Sequence, residues 1–301
     1  MTAALSQWPG SGNRLPQRSS TVANIILPVD GRPLSRLVLP IGRTLAQLYN
    51  ATPHLLYVGR QQRDRRDSQD IFKVLGLTTD DISGTVLDFH CGNAAEVIVR
   101  TAKQLPHSLI VMCTHTENPR QAESFGRVAE AVLAAGPARI VLVAPERTER
   151  PWRLEHVLLA HDGTPSSDAA TAPAADIARR ASAQVIALHV AARNRVSAKV
   201  PGSLPAPRYV DQPQHEWPAW TQGFMDRMLA LGAPPSAVHF DLIVAGGQAG
   251  SEIAELARRR NVDLVVMACD GNWSDTKHAC TRVVVRTSGC PVLLVRPEPA
   301  A

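Results

Sequence analysis

Aromatic residues, long apolar segments and unbroken runs of one charge are all scarce in this sequence. Only 4% of the residues are aromatic, which argues against a single-stranded nucleic-acid module that stacks bases on rings. No apolar run approaches the roughly 20 residues that a membrane-spanning helix needs. The net charge is +5, but the densest charged run, from Arg60 to Asp70, mixes arginine with aspartate. This mixture favours a solvated loop over a nucleic-acid surface.

Cysteines are few and follow no regular spacing. The sequence has five of them, an odd number, which argues against a secreted disulfide framework and favours a reducing cytoplasm as the location. Residues 1–21 lack the apolar core of a signal peptide, and we expect them to form a flexible tail.

The local signatures of common enzymes are also missing. The sequence has no Gly-x-Ser-x-Gly elbow, no Walker lysine and no His-Glu-x-x-His pair. These arrangements activate a nucleophile, bind phosphate or hold a catalytic metal. We therefore expect a protein that is not an enzyme.

What the sequence does have is a globular composition and an internal repeat. Hydrophobic residues make up 45% and charged residues 20% of the 301 residues, a length that suits two domains of roughly 100–150 residues each. Residues 24–33 read NIILPVDGRP and are matched by residues 156–165, which read HVLLAHDGTP. Both segments are apolar strands that end in Asp-Gly.

Four further segments recur in the same order in each half. They are residues 55–58, 95–98, 109–112 and 139–143 in the first half and residues 187–190, 251–254, 264–267 and 291–295 in the second. Apolar residues at helical spacing predict helices over residues 94–104 and 251–260, and residues 169–182 are rich in helix-forming alanine. Short apolar strands that alternate with helices predict a parallel sheet covered on both faces. We therefore predict an α/β protein with two doubly wound domains, residues 22–149 and 152–299, each with a five-stranded parallel sheet.

The halves differ mainly in one proline-rich insertion. Residues 192–220 carry five prolines and lead into a helix predicted from about Trp217 to Leu231; such a segment is either a lid or a spacer. Pro40 and Pro173 occupy matching positions inside the first helix of each half, where proline predicts a kink. Thr164 and Pro165 have the sequence of a helix N-cap followed by proline at the first helical position.

Candidate binding residues follow the strands. In an open parallel sheet, ligands bind beyond the carboxyl ends of the strands, near the point where the strand order reverses. In the first half these positions are Asp30, Val58, Cys113 and Thr116. In the second half they are Asp162, Val190, Ala268 and Gly271.

The order of strand, Asp-Gly, helix, strand, a Gly-x-x-x-Glu-like segment, Val-Met and a closing Pro-Val-Leu-Leu-Val resembles the universal stress protein family. The resemblance covers nearly the whole chain twice. It implies two domains of the adenine nucleotide alpha hydrolase-like fold, related by a pseudo-twofold axis across which the last strands meet. In nucleotide-binding members, the fourth strand runs into Gly-x2-Gly-x9-Gly-(Ser/Thr), which wraps the ribose and phosphates, and the first-strand Asp approaches the adenine.

Both halves depart from that glycine motif. The first half reads Cys113-x2-Thr116-x9-Gly126-Arg127, and the second reads Ala268-x2-Gly271-x9-Thr281-Arg282. One glycine of three remains in each half, and Arg127 and Arg282 replace the hydroxyl residue. These arginines either make charge-assisted contacts to phosphate or pair with nearby carboxylates in sites that no longer bind nucleotide. Those carboxylates are Glu123, Glu130 and Asp275.

The resemblance implies a cytoplasmic stress-response protein that binds ATP or another adenine nucleotide at degenerate sites. Such a protein acts as a sensor or signalling adaptor with protein partners, without nucleic acid or membrane. The alternative is an interaction scaffold that binds no nucleotide.

A third alternative is a zinc or thiol-redox sensor. Soft nitrogen and sulfur ligands lie at His90-Cys91, Cys113-x-His115, Cys269-Asp270 and His278-x-Cys280. Their spacing matches no standard zinc module, so no metal ligand is assigned. Gly246-Gly-Gln-Ala-Gly250 lacks the Lys-Ser/Thr of a phosphate loop and is interpreted as a strand-to-helix turn.

Overall fold

The computed structural model describes residues 2–3, 22–59, 77–78, 82–114, 125–145, 152–191, 201–204, 213–231, 240–269 and 279–297. The strands of these residues are β1 (Thr2–Ala3), β2 (Asn24–Val29), β3 (Thr52–Gly59), β4 (Val86–Cys91), β5 (Ser108–Cys113), β6 (Arg139–Val143), β7 (His156–Ala160), β8 (Gln184–Ala191), β9 (Phe240–Gly246), β10 (Leu264–Ala268) and β11 (Val292–Val295). A 3₁₀ helix (Pro33–Leu37) precedes α1 (Val38–Tyr49). The other helices are α2 (Ala94–Gln104), α3 (Arg127–Ala134), α4 (Pro165–Asp168), α5 (Thr171–Ala181), α6 (Pro213–Ala230), α7 (Ala249–Arg259) and α8 (Ala279–Thr287).

All the described strands belong to one sheet, in the order β1-β9-β8-β7-β10-β11-β6-β5-β2-β3-β4. Strands β4-β3-β2-β5-β6 pair in parallel, and so do β9-β8-β7-β10-β11. The prediction of two five-stranded parallel sheets is therefore confirmed. Each has the doubly wound order, in which the chain leaves the first strand towards one edge and later returns on its other side.

The two halves meet through their last strands. Strand β6 pairs antiparallel with β11, with Val141 opposite Leu293 and Leu142 opposite Val292. The expected meeting across a pseudo-twofold axis is confirmed. Because this pairing satisfies the edge of both sheets, the two halves form one continuous sheet.

The first residues of the chain differ from the predicted tail. Thr2 pairs antiparallel with Ile243 and Ala3 with Leu242, so β1 extends the sheet at β9. The remainder of the predicted tail, residues 4–21, lies outside the described residues.

Two apolar layers cover the sheet, one on each face. Neighbouring residues of β2 illustrate the alternation, because Ile25 and Leu27 belong to one layer and Ile26 to the other. Helices α1, α5 and α6 supply the first layer, and α2, α3, α7 and α8 supply the second. Burial on both faces explains why the strands read as continuous apolar runs.

In place of the predicted kinks at Pro40 and Pro173, each half has a short helix followed by the start of a new helix. Helix α1 begins at Val38 and α5 at Thr171, so each proline lies in the first turn of a helix. A separate short helix precedes each of them, the 3₁₀ helix in the first half and α4 in the second. An N–H in a first turn has no acceptor within its own helix, so proline loses no hydrogen bond there.

Candidate functional site

A cleft lies in the second half, at the carboxyl end of the sheet where the strand order reverses. Strand β7 has β8 on one side and β10 on the other. The cleft has a volume of about 400 Å³. It is lined by Ala160, His161, Asp162, Thr164, Ser166, Ser167, Leu188, Val190, Ala249, Ile253, Met267, Ala268, Cys269, Cys280, Thr281 and Pro297. The lining combines an apolar wall with hydroxyl groups and one carboxylate.

The structure brings four of the predicted second-half residues together in this cleft. Asp162 follows β7, Val190 lies near the end of β8, Ala268 ends β10, and Thr281 lies in the first turn of α8. Arg282 is the next residue of α8 and is not part of the lining. The sixth predicted residue, Gly271, lies outside the described residues.

The Asp162 carboxylate is fixed by three hydrogen bonds to one of its oxygens. Its Oδ1 accepts from the Thr164 N–H at 2.9 Å, the Thr164 hydroxyl at 2.6 Å and the Ser167 hydroxyl at 2.7 Å. Burial raises the pKa of this carboxyl, but these hydrogen bonds outweigh it, so the net pKa lies below the ordinary value of 3.8. Asp162 is therefore a carboxylate at neutral pH, held in one orientation.

The Thr164 hydroxyl has a different partner from the one its sequence predicts. Thr164 occupies the N-cap position of α4, but its side chain accepts no capping hydrogen bond. It donates instead to Asp162. The predicted N-cap position of Thr164 and the proline at the first helical position are confirmed, while the hydroxyl hydrogen bonds to Asp162 and not to the helix.

His161 lies buried beneath this turn as a neutral imidazole. Its Nδ1 accepts from the Gly163 N–H at 3.0 Å, so Nδ1 carries no proton. Its Nε2 therefore carries the proton and donates to Asp168 Oδ1 at 3.1 Å. Burial lowers the pKa of His161, although the nearby carboxylates of Asp168 and Asp162 oppose this effect.

A second buried histidine supports the first. His189 on β8 donates from Nδ1 to the His161 carbonyl oxygen at 3.1 Å. Its ring packs on Trp220 with centroids 4.6 Å apart, and Phe224 meets the His161 ring edge-on at 5.2 Å. Burial lowers the pKa of His189 as well.

The helix that follows the insertion is part of the core. Helix α6 begins at Pro213, earlier than the predicted start near Trp217. Trp220, Phe224 and Met228 repeat at helical spacing and are buried in the apolar layer with α5. Within the described residues, α6 therefore packs in the core, and the interpretation of the preceding loop as a lid or a spacer stays a prediction. Residues 192–200 and 205–212 of the region lie outside the described residues.

Arg227 connects α6 to the first turn of the site. Its guanidinium donates to both oxygens of Asp168, from Nε at 2.7 Å and from Nη2 at 2.6 Å. Its Nη1 donates to the Gly202 carbonyl oxygen at 2.6 Å. Two residues further on, the Leu204 N–H donates to the Gly163 carbonyl oxygen at 2.9 Å. The side chains of Asp168 and Arg227 are each only 18% exposed, so this ion pair is largely shielded from water.

Two cysteines, Cys269 and Cys280, also line the cleft. Burial, assisted by the negative charge of Asp162, raises the pKa of the Cys280 thiol to about 11. The thiol is therefore protonated and weakly nucleophilic at neutral pH. Among the described residues, no three His, Cys, Asp or Glu side chains lie close enough together to hold a metal ion. The other residues of the zinc interpretation that lie outside the described ranges are His115, Asp270 and His278.

The first half keeps the Asp-Gly turn, with other residues in place of His161 and Asp168. Gly31 and Gly163 have φ of +82° and +83°, so the two turns share the left-handed conformation that favours glycine. Asp30 Oδ1 accepts from the Arg32 N–H at 3.1 Å. In the repeat, however, Val29 stands where the second half has His161, and Arg36 stands where it has Asp168.

The other first-half predictions lie at the same end of the sheet. Val58 is near the end of β3, Cys113 ends β5, and Gly126 and Arg127 begin α3. Burial, assisted by Asp30, raises the pKa of Cys113 to about 12. Thr116 lies outside the described residues. Glu130, one of the carboxylates proposed to pair with Arg127, accepts a hydrogen bond from the Phe125 N–H at 3.2 Å.

The glycine segment before α7 forms a strand-to-helix turn, as predicted. Strand β9 ends at Gly246 and α7 begins at Ala249. Gly250 allows α7 and α8 to pack closely, since a Cβ there would lie 3.1 Å from the Cys280 carbonyl oxygen.

The residues that hold Asp162 in place were only partly evident from the sequence. His161, Ser167, Asp168 and Arg227 were not among the predicted site residues. A signal for two of them was present, because His161 and Asp168 are polar replacements of Val29 and Arg36 within the repeat. Nothing in the repeat pointed to Arg227, which lies on the helix that the first half does not share in sequence.

Comparison with known proteins gives a family match in the second half. The universal stress protein family profile matches residues 153–296. No curated protein matches the sequence. None of the described helices combines the length and the apolar character that crossing a membrane requires.

Solved structures extend the likeness in fold to both halves. A universal stress protein from Archaeoglobus fulgidus DSM 4304 superposes with a TM-score of 0.65 at 16% identity, over 92% of this chain and 97% of that one. A functionally unknown protein from Pseudomonas aeruginosa PAO1 gives 0.64 at 15% identity, over 92% and 94%. The cytoplasmic domain of a prokaryotic cation chloride cotransporter gives 0.50 at 11% identity, over 91% and 95%. At these identities the likeness shows the fold alone, and it shows it for the whole tandem arrangement.

Proposed function

Because residues 153–296 belong to the universal stress protein family, we propose that this is a stress-response protein that binds an adenine nucleotide in the cleft of its second half. It acts as a sensor or signalling adaptor whose bound state is read by protein partners, and not as an enzyme. The observation that carries this proposal is the oriented Asp162 carboxylate in a cleft of about 400 Å³ at the switch point of the sheet.

The size and lining of the cleft suit a nucleoside. Small-molecule sites typically measure roughly 300–1,000 Å³ and combine apolar walls with a few convergent polar groups. Leu188, Val190 and Ile253 supply apolar surface for a base, and Ser166 and Thr281 supply hydroxyl groups for a ribose. This division of apolar and polar surface matches the two parts of adenosine.

Asp162 supplies the feature that would select adenine. The three hydrogen bonds that Asp162 accepts from Thr164 and Ser167 all go to Oδ1. With respect to these described residues, Oδ2 remains available as an acceptor. A carboxylate oxygen accepts strongly from an amino group. The exocyclic amine of adenine provides such a donor, whereas the carbonyl oxygen of hypoxanthine does not.

The N-terminal turns of two helices line the cleft and are suited to bind the phosphates of a nucleotide. Ala249 at the start of α7 and Cys280 and Thr281 at the start of α8 line the cleft. The N–H groups and positive dipole of a helix N-terminus favour an anion. ATP is therefore the first nucleotide to test.

The same geometry gives no support to strong catalysis. Both ring nitrogens of His161 are committed to Gly163 and Asp168, so this histidine is not available as a general base. The Cys280 thiol is held in its protonated form. A binding role accounts for these groups better than a hydrolytic one.

A scaffold that binds no nucleotide is the second candidate. The observation in its favour is the β6–β11 pairing, which fuses both halves into one sheet. Such a rigid unit can present two related surfaces to protein partners without any ligand.

Thermal unfolding with and without millimolar ATP and magnesium tests the proposal. A ligand that binds only the folded state stabilises it by about 2.7 kcal/mol at one hundred times its dissociation constant. We expect the stabilisation to disappear in Asp162→Ala and to persist in the matched first-half variant Asp30→Ala. Adenosine should stabilise the protein more than inosine, which lacks the amino group. Absence of any shift at every ATP concentration would refute nucleotide binding and leave the scaffold.

A further inference from the structure

The Gly163 residue next to Asp162 is held from both sides. Its N–H donates to His161 Nδ1 at 3.0 Å, and its carbonyl oxygen accepts from the Leu204 N–H at 2.9 Å. A glycine has more backbone freedom than any other residue. These two hydrogen bonds therefore hold the residue of this turn that has the most backbone freedom.

Both hydrogen bonds of Gly163 are connected to the side chain of Arg227. Arg227 holds Asp168, the carboxylate that orients His161 through Nε2. It also donates to the carbonyl oxygen of Gly202, two residues before Leu204. Arg227 is thus the group that both routes to Gly163 share.

The first half shows that the turn itself does not need this network. Gly31 adopts nearly the same φ as Gly163, although Val29 and Arg36 replace the histidine and the aspartate. The network is therefore not needed to form the turn.

We propose that Arg227 is a positioning residue for Asp162, through which α6 and residues 201–204 hold the second-half site in its binding geometry. The part of this inference that concerns ligand affinity rests on the proposed function. The restriction of the turn itself does not.

The charge of Arg227 has a second effect, on the protonation of His161. The imidazole faces Asp168 on α4, Asp162 in the turn, Arg227 on α6 and His189 on β8. Burial lowers the pKa of His161, the two carboxylates raise it, and Arg227 lowers it. Without Arg227, the pKa of His161 would rise, so a second proton would bind to the ring at a less acidic pH. A doubly protonated ring has no acceptor for the Gly163 N–H.

The experiment compares the wild-type chain with Arg227→Gln, with Asp168→Asn and with the double variant. Amide hydrogen exchange reports the Gly163 N–H, NMR titration reports His161, and calorimetry with ATP and magnesium reports affinity. We expect Arg227→Gln to speed Gly163 exchange by about tenfold relative to the β7 and β10 amides. We also expect it to raise the pKa of His161 and to weaken ATP binding most at acidic pH.

The double variant separates positioning from general damage. Asp168→Asn removes the carboxylate that attracts the second proton, so it should return the His161 titration of Arg227→Gln towards the wild-type curve. Arg259→Gln, which alters an exposed helical ion pair with Glu255, should change none of the three readouts. If Arg227→Gln leaves both the Gly163 exchange and the His161 titration as in the wild type, the inference is wrong.

If the proposed nucleotide binding is wrong but the positioning role is right, the experiment gives a different set of results. A wild-type protein that binds no ATP, but whose Gly163 exchange and His161 titration respond to Arg227→Gln, retains the positioning role and loses the nucleotide. If Arg227→Gln does not fold, the exchange and titration of Asp168→Asn alone decide the question. Faster exchange of Gly163 in that variant supports the inference, and unchanged exchange overturns it.

Discussion

The guanidinium of Arg227 binds the carboxylate of Asp168 through two hydrogen bonds, Nε to Oδ1 at 2.7 Å and Nη2 to Oδ2 at 2.6 Å. The two residues are 59 positions apart in the chain. This contact joins the helix that follows the insertion to the short helix that follows the first strand of the second half. It therefore connects the helix after the insertion with a turn that both halves share.

Removal of the Asp168 charge should destabilise the fold. Asp168→Asn replaces two charge-assisted hydrogen bonds in a largely shielded site, and we expect a loss of about 2 kcal/mol in the free energy of unfolding. Urea unfolding measures this loss. The exposed pair Glu255 and Arg259, 3.9 Å apart, supplies the control, since Glu255→Gln should cost less than about 1 kcal/mol. Equal losses in the two variants would contradict the assignment.

Stability should fall as the pH drops below neutrality. Burial holds the pKa of both His161 and His189 below the ordinary value of 6.5, so the unfolded chain takes up protons that the folded chain does not. Their contribution is complete above that value and is lost as the pH falls through it, by at most about 1.4 kcal/mol per pH unit for each histidine. Asp162, whose pKa lies below 3.8, loses its contribution only at lower pH.

Urea unfolding between about pH 7.5 and 5.5 separates these effects. His161→Asn removes the titrating ring but keeps an acceptor for Gly163, so it should flatten the slope of unfolding free energy against pH. His107→Asn, at an exposed position with φ of +53° that asparagine tolerates, should keep the wild-type slope. A wild-type slope in His161→Asn would show that the buried ring does not control acid stability.

Two helical glycines should respond oppositely to alanine. A Cβ at Gly250 would lie 3.0 Å from Val283 Cβ and 3.1 Å from the Cys280 carbonyl oxygen, so α8 must shift. We expect Gly250→Ala to destabilise the fold by about 1–3 kcal/mol. A Cβ at Gly223 on α6 would lie 3.9 Å from Leu204, so Gly223→Ala should stabilise it by about 0.5–1 kcal/mol. Urea unfolding measures both changes in stability. If both variants changed the free energy of unfolding in the same direction, this account of the packing would be wrong.

Cys280 should react slowly with iodoacetamide and faster after Asp162→Asn. The thiolate is the reactive form, and both burial and the charge of Asp162 raise the pKa of this thiol, to about 11. Loss of that charge should lower the pKa and increase the alkylation rate, measured by mass spectrometry of the Cys280 peptide. Cys113, whose pKa is raised by burial and Asp30, is the internal control. A parallel increase at Cys113 would indicate general loosening instead of a local electrostatic effect.

Much of the architecture was readable from the repeat. The matched segments that begin at Asn24 and His156 predict two equivalent sheets, because strands buried on both faces read as apolar runs and their order fixes the crossovers. The helix over 94–104 was predicted at the bounds it has in the structure. The start of a new helix just before Pro40 and just before Pro173 was not predicted. A proline is compatible both with a kinked helix and with the first turn of a new one.

The site was predictable only in part, for a related reason. Asp162, Val190 and Ala268 follow strands of one parallel sheet, so topology alone places them at one edge. Arg227 is different, because α6 packs against β8 and the residue after β7 through the aromatic contacts of Trp220 and Phe224. No local pattern specifies that docking.

The sequence by itself determined the two-domain α/β architecture, the likeness of the second half to the universal stress protein family and the strand ends that line the cleft. These depend on periodicity and order, which are properties of the chain. The tertiary structure alone decided which groups surround Asp162, how His161 is protonated and that Arg227 binds Asp168. These depend on distances between side chains far apart in sequence, and hydrogen bonds and pKa values respond to such distances on the scale of single ångströms.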